Sequence, residues 1–179
     1  DRGLAVANAI AAAWAGATRL HGTALGVGER VGNAPMEQLL VNARLLGWAN
    51  PDLGRIMEYA ELAARMLGVT VPASSPIVGR DAFRTSTGVH AAAIAKAAAT
   101  GERDLVDLVY SAVPAAWLNR EQIVEVGPMS GGSNVRLWLA LHGLAAGSGL
   151  VDRILARAKQ ADRTLTEEEL TALAGSVGD

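Results

Sequence analysis

The stretch Ala17-Thr18-Arg19-Leu20-His21-Gly22-Thr23-Ala24-Leu25 constrains the fold most, because it reads as a strand with a helix on either side. Before it, Val6, Ala9, Ile10, Ala13 and Trp14 recur at helical spacing, with Asp1 placed to cap and Gly16 to stop. After it, the loop Gly26-Val27-Gly28-Glu29-Arg30-Val31-Gly32-Asn33 leads to Pro35, at the first turn of a second helix. That helix carries Met36, Leu39, Leu40, Ala43 and Leu46 and stops at Gly47. Helix, strand, loop, helix is a unit of α/β repetition, as in a barrel or a doubly wound sheet. One strand makes no sheet, so the rest of such an architecture is expected elsewhere.

Downstream, Asn50-Pro51 opens a helix through Ile56, Met57, Ala60, Ala63, Ala64 and Leu67, closed by Gly68. Val69 to Gly79 holds Pro72, Pro76, Ser74 and Ser75 and reads as an extended linker, where a boundary is expected. Helices are expected over 88–100 and 102–112, a turn over 114–119 and a strand over 122–126. Further helices follow over 134–142 and 150–160. A last one opens at Thr166, with Glu169 three residues on as a capping box. The expected division is 1–68, 69–120 and 121–179, in a helix-rich α/β chain.

The chain has no cysteine, which excludes disulfides, thiolate metal sites and cysteine nucleophiles. A formal net charge of −2 gives no nucleic-acid footprint and no electrostatic membrane anchor. No apolar run reaches the roughly 18–20 residues a spanning helix needs, and no signal-peptide pattern opens the chain. A cytoplasmic location is the expectation. The start at Asp1, inside a helix opening, suggests a processed or truncated chain.

By spacing alone the chemistry-bearing residues remain open. The glycine loop fits neither a phosphate loop nor a dinucleotide fingerprint, and reads as a ligand-approaching loop or a tight strand-to-helix turn. His90 opens a helix of small residues, a place more often structural than catalytic. His21 is a metal ligand, a general base or a satisfied core histidine. His142, beside Gly143, compensates a helix C-terminus. No two histidines lie at metal-ligand spacing. Tyr110 ends an apolar helix, and Trp14, Trp48, Trp117 and Trp138 read as packing residues. Ser130-Gly131-Gly132-Ser133-Asn134 is a helix cap, with Ser133 or Asn134 capping, or an anion-binding turn.

Five elements in order carry a resemblance. Gly26-Val27-Gly28-Glu29-Arg30-Val31-Gly32-Asn33 is similar to the G-x-G-E-R-x-G-N loop of the 2-isopropylmalate, homocitrate and citramalate synthase family, with Thr23 preceding it. Asp1 to Asn8 resembles the segment after that family's H-x-H-N metal motif. Pro76 to Phe83 with Ser86-Thr87-Gly88-Val89-His90 resembles its P-x-V-G-x-x-A-F and S-G-x-H elements. Tyr110 ahead of Pro114 falls where the family has a Tyr before a D-P turn, and Met129 to Asn134 resembles its S-G-x-S-N segment.

The resemblance implies the C-terminal part of a TIM (β/α)8 barrel followed by mainly helical post-barrel subdomains. It implies Claisen condensation of acetyl-CoA with a 2-oxo acid at a divalent metal (Mg, Mn or Zn), then thioester hydrolysis. The first expectation is 2-oxoisovalerate to 2-isopropylmalate, in leucine biosynthesis; homocitrate and citramalate synthases are the alternatives. By position Asn33 belongs to the metal shell, Thr23 and Glu29 to the substrate side, and His90 and Tyr110 to the catalytic set. The last two are expected to reach into a partner's barrel, making the enzyme a homodimer. The family's metal-ligand histidines would precede Asp1, so this chain alone is expected to be inactive. The remaining alternative is a non-catalytic dimerisation module. Val113-Pro114 replaces the family's D-P, which removes a turn-capping Asp.

Overall fold

The computed structural model describes residues 2–175. Its elements are helices α1 (Ala5–Trp14), α2 (Met36–Leu45) and α3 (Ile56–Leu67), strand β1 (Arg84–Thr85), helices α4 (Gly88–Ala98) and α5 (Arg103–Leu108), strand β2 (Ile123–Val124), and helices α6 (Gly132–Leu141), α7 (Ser148–Lys159) and α8 (Glu167–Gly175). The chain divides into two compact units. One holds the residues up to Ala82 together with Ala115–Arg120; the other holds Phe83–Pro114 and the residues from Glu121 on. No helix among the described residues is long and apolar enough to cross a membrane.

In the first unit the stop signals act as expected. Gly68 closes α3 in the left-handed region at φ 64, and Gly16 and Gly47 follow α1 and α2 at φ 105 and 71. The starts differ. The helix α1 is capped at Leu4, so the expected capping by Asp1 falls outside the described residues. The helix α3 begins at Ile56 rather than at Pro51, because the Asp52 carboxylate accepts the Gly54 N–H at 2.9 Å and holds an Asx-type turn in place of the first helical turn.

The expected strand over Ala17–Leu25 is not one. Among the described residues only a single parallel bridge forms there, Thr23 with Pro35, and residues 24–26 turn into a short 3-10 helix. A strand exists by its ladder, and no described strand lies beside this stretch to supply one.

The segment 115–120 is part of this unit through its side chains. Arg120 donates to the carbonyls of Ile77, Gly79 and Arg80 at 3.1, 2.8 and 2.9 Å. Asn119 Nδ2 donates to Gly54 O at 3.0 Å, and the Arg44 guanidinium lies 4.0 Å above the Trp117 ring. Val69–Gly79, expected as a linker, therefore lies within a unit.

The second unit is built on α6 and α7. Val126, Val135, Trp138, Leu139, Val151, Ile154, Ala158, Leu165 and Leu170 form one buried cluster. The small parallel ladder pairs Arg84 with Ile123 and Thr85 with Val124. It is extended by Ile123 N–H to Phe83 O and Glu125 N–H to Thr85 O, both 2.8 Å. The helix expected to Ala112 ends at Leu108, and Ala112 has φ 56, so Tyr110 sits in the turn after α5. Thr166 and Glu169 form the expected reciprocal cap of α8. Thr166 N–H donates to Glu169 Oε2 at 2.8 Å, and Glu169 N–H to Thr166 Oγ1 at 3.3 Å.

Candidate active site

The site residues expected from the sequence fall into two groups, one per unit. In the first unit the glycine loop is closed at its neck by backbone bonds. Thr23 N–H donates to Ala34 O at 3.1 Å, Met36 N–H to Thr23 O at 2.9 Å, and Asn33 N–H to Gly26 O at 2.8 Å. Within the neck, Leu25 and Gly26 both have positive φ, 55 and 68. Gly32 is required by its surroundings, whereas Gly28 meets only the end of the exposed Asn33 side chain. A Cβ on Gly32, at φ 96, would run into Gly26 O, and one on Gly28 would run into Asn33 Nδ2. The Asn33 amide thus lies over the Gly28 backbone, at an exposed position, and Glu29 is exposed beside it on the same loop.

Thr23 has a buried hydroxyl with no hydrogen-bond partner. A buried orphan hydroxyl is costly unless something else satisfies it, which suits a group that meets a ligand. Asn33 offers one neutral oxygen of the kind a hard divalent ion takes. No cluster of three or more His, Asp or Glu suited to a metal occurs among the described residues. His21 is exposed and joins no metal-suited group among the described residues.

In the second unit His90 lies in the first turn of α4. Its Nδ1 is 2.7 Å from Thr87 Oγ1, and its ring centroid is 4.8 Å from that of Tyr110, tilted by 46°. Tyr110 O–H donates to Arg84 O at 3.1 Å. The structure therefore brings His90 and Tyr110 together, with the imidazole Nδ1 engaged and its Nε2 side left for other chemistry.

The segment 130–134 is structural. Ser130 Oγ accepts the Gly127 N–H at 2.8 Å and donates to Ser86 O at 2.7 Å. Asn134 Nδ2 donates to Ser86 O and Glu125 O at 3.1 and 2.8 Å, while its Oδ1 accepts the Gly131 N–H at 3.1 Å. The N-cap position is Gly131, and of the two expected residues Asn134 does cap, from the third helical position through its bond to the Gly131 N–H. Buried Ser130 and Asn134 thus tie the strand ends together. His142 caps the end of α6, stacked on Trp138 at 4.1 Å, with its Nε2 3.2 Å from Glu167. Trp138 is core, whereas Trp14 is 69% exposed.

Sequence reasoning missed Glu37. It is 2% exposed in the first turn of α2, and its Oε2 accepts the Leu25 N–H at 3.1 Å, inside the loop neck. The available signal was its spacing, four residues before the fully buried Val41 on the same face of α2.

Residues 1–63 match the HMGL-like family. The chain is similar to a Methanopyrus kandleri protein named as an (R)-citramalate synthase, 34% identical over 182 residues, covering 99% of this chain and 34% of that one. A Methanosarcina mazei homocitrate synthase is 38% identical over 110 residues, 61% of this chain and 27% of its own length. A second Methanosarcina mazei protein, named as a 2-isopropylmalate synthase, is 28% identical over 182 residues, 99% of this chain and 34% of its own length. The chain spans about a third of the length of these curated relatives.

Proposed function

Because the chain belongs to the family of 2-isopropylmalate, homocitrate and citramalate synthases, we propose that the complete polypeptide condenses acetyl-CoA with a 2-oxo acid. The reaction joins the acetyl methyl carbon to the 2-oxo carbon and then hydrolyses the thioester, giving a 2-substituted malate, CoA and a proton. The observation that carries this reading is similarity running through 99% of the chain, across both the glycine loop and the His90 element.

A divalent ion, when bound, polarises the 2-oxo acid. Of this chain's residues, Asn33 contributes an oxygen to that ion's shell, while Thr23 and Glu29 face the substrate. His90, anchored at Nδ1 by Thr87, moves a proton at Nε2. Tyr110 fixes the imidazole plane from the side. The working enzyme is a homodimer in which His90 and Tyr110 serve the partner's barrel. The 179-residue chain alone is expected not to condense, since a single amide oxygen such as that of Asn33 is too few ligands to hold the ion.

The acceptor is 2-oxoisovalerate, with pyruvate and 2-oxoglutarate as the alternatives, since relatives named for each of the three products are similar to the chain. The test is thiol release from acetyl-CoA by the complete protein with 2-oxoisovalerate, pyruvate and 2-oxoglutarate in turn. Release with one acceptor identifies the substrate; none with any acceptor sinks the reading.

A further inference from the structure

The most heavily buried carboxylate in the first unit, Glu37, has a place in the architecture that the reaction above does not use. It is 2% exposed, yet its Oε2 accepts a hydrogen bond from a backbone amide twelve residues earlier, Leu25 N–H, at 3.1 Å. A carboxylate is placed in such a site only if something there needs a strong acceptor. Leu25 supplies the need. It carries a bulky side chain at φ 55, a conformation that favours glycine, and persists only where its surroundings over-determine it.

Leu25 is also the point at which the chain turns out of Thr23 and Ala24 into the loop. On the far side, Asn33 N–H returns to Gly26 O at 2.8 Å. The angle at which the neck leaves Leu25 therefore sets where the Asn33 amide lies. Glu37 reaches this point from α2, a helix anchored by buried Leu39 and Val41. On α3 the Tyr59 hydroxyl is pushed above its usual range, by burial first and by the Glu37 charge second. Beside it lies a cavity of about 180 Å³ lined by Leu25, Val27, Pro35, Glu37, Thr70 and Ser75 among others.

We propose that Glu37 is a positioning residue: its carboxylate latches the strained Leu25 amide and so fixes the glycine loop that presents Asn33. The proposal rests, for its functional meaning, on the reading of Asn33 as a member of the metal shell. The latch itself stands on geometry.

The test compares Glu37→Gln, which keeps an acceptor oxygen, with Glu37→Ala, which removes it, in the complete protein. Two quantities are read: hydrogen exchange of residues 23–33 and affinity for Mn²⁺. Glu37→Ala speeds exchange at the Leu25 amide by about tenfold or more, with exchange in α6 and α7 unchanged as the control for folding. Glu37→Gln stays within about twofold of the parent. Equal exchange in Glu37→Ala and the parent overturns the latch, and so does equally fast exchange in the two variants. Should Glu37→Ala fail to fold, a fast-exchanging Leu25 in Glu37→Gln still overturns it. Mn²⁺ affinity is expected to fall about tenfold in Glu37→Ala. Faster exchange with unchanged affinity leaves the latch standing and sinks the placement of Asn33 instead.

Discussion

At the scale of single residues, His90 is defined by its neighbours. Thr87 Oγ1 at 2.7 Å and the Tyr110 ring at 4.8 Å hold the imidazole from two directions. Truncation at this position removes the group proposed to move a proton and leaves the glycine loop, in the other unit, in place. In the complete protein His90→Ala should lower kcat by roughly 100-fold or more, the scale of lost acid–base catalysis. Mn²⁺ affinity, measured by calorimetry, should stay within about twofold of the parent. A normal turnover rate would remove His90 from the mechanism. The glycine loop makes a different demand. Gly32→Ala places a Cβ against Gly26 O at φ 96, so the neck must open. Faster exchange of the Asn33 amide is the expected sign; an unchanged rate would show that the neck tolerates the side chain.

At the scale of elements, the capping box of α8 gives the clearest pH dependence. The Arg163 guanidinium, followed by the Thr166 amide, holds the Glu169 carboxyl down at about 2 from an ordinary 4.5. A lowered folded-state value means that the ionised carboxylate adds stability above about pH 4.5 and loses it as the pH falls toward 2. Urea midpoints across that window should therefore fall more for the parent than for Glu169→Gln; parallel curves would refute the linkage. Thr166→Ala should cost about 1 kcal/mol at neutral pH by the same method.

This cap was legible in the sequence because both partners lie within four residues of chain. The glycine stops at Gly47 and Gly68 were legible for the same reason. The strand β1 was not. Arg84 and Thr85 become a strand only through Ile123 and Val124, nearly forty residues away. The stretch 17–25 failed in the opposite sense: its residues suit a strand, and no described neighbour gives it a ladder. The assignment of His90 and Tyr110 to one set came from resemblance, and their ring contact was not legible, since helical spacing would have carried α5 to Ala112 and past Tyr110. Glu37 escaped because a buried glutamate is recognised by its acceptor role, here a bond to an amide twelve residues back.

At the scale of the whole molecule, the path of the chain matters more than the count of helices. The chain leaves the first unit after Ala82, returns for Ala115–Arg120, and leaves again. The return is held by Arg120 on three carbonyls of residues 77–80 and by Trp117 beneath Arg44. Arg120→Leu should speed exchange over residues 73–82 while α6 and α7 keep their protection. Uniform protection in the variant would show that the clamp holds nothing. The composition of the chain carried no hint of this path: Ala115–Leu118 reads as a turn, and its allegiance is set by side chains far apart in the sequence. Threading of this kind has a genetic meaning. A single crossover between two related genes, placed anywhere from codon 83 to codon 114, would join one parent's residues 1–82 to the other parent's residues 115–120. Trp117 and Arg120 would then meet a foreign Arg44 and a foreign loop, so these positions are expected to be inherited as one linked block.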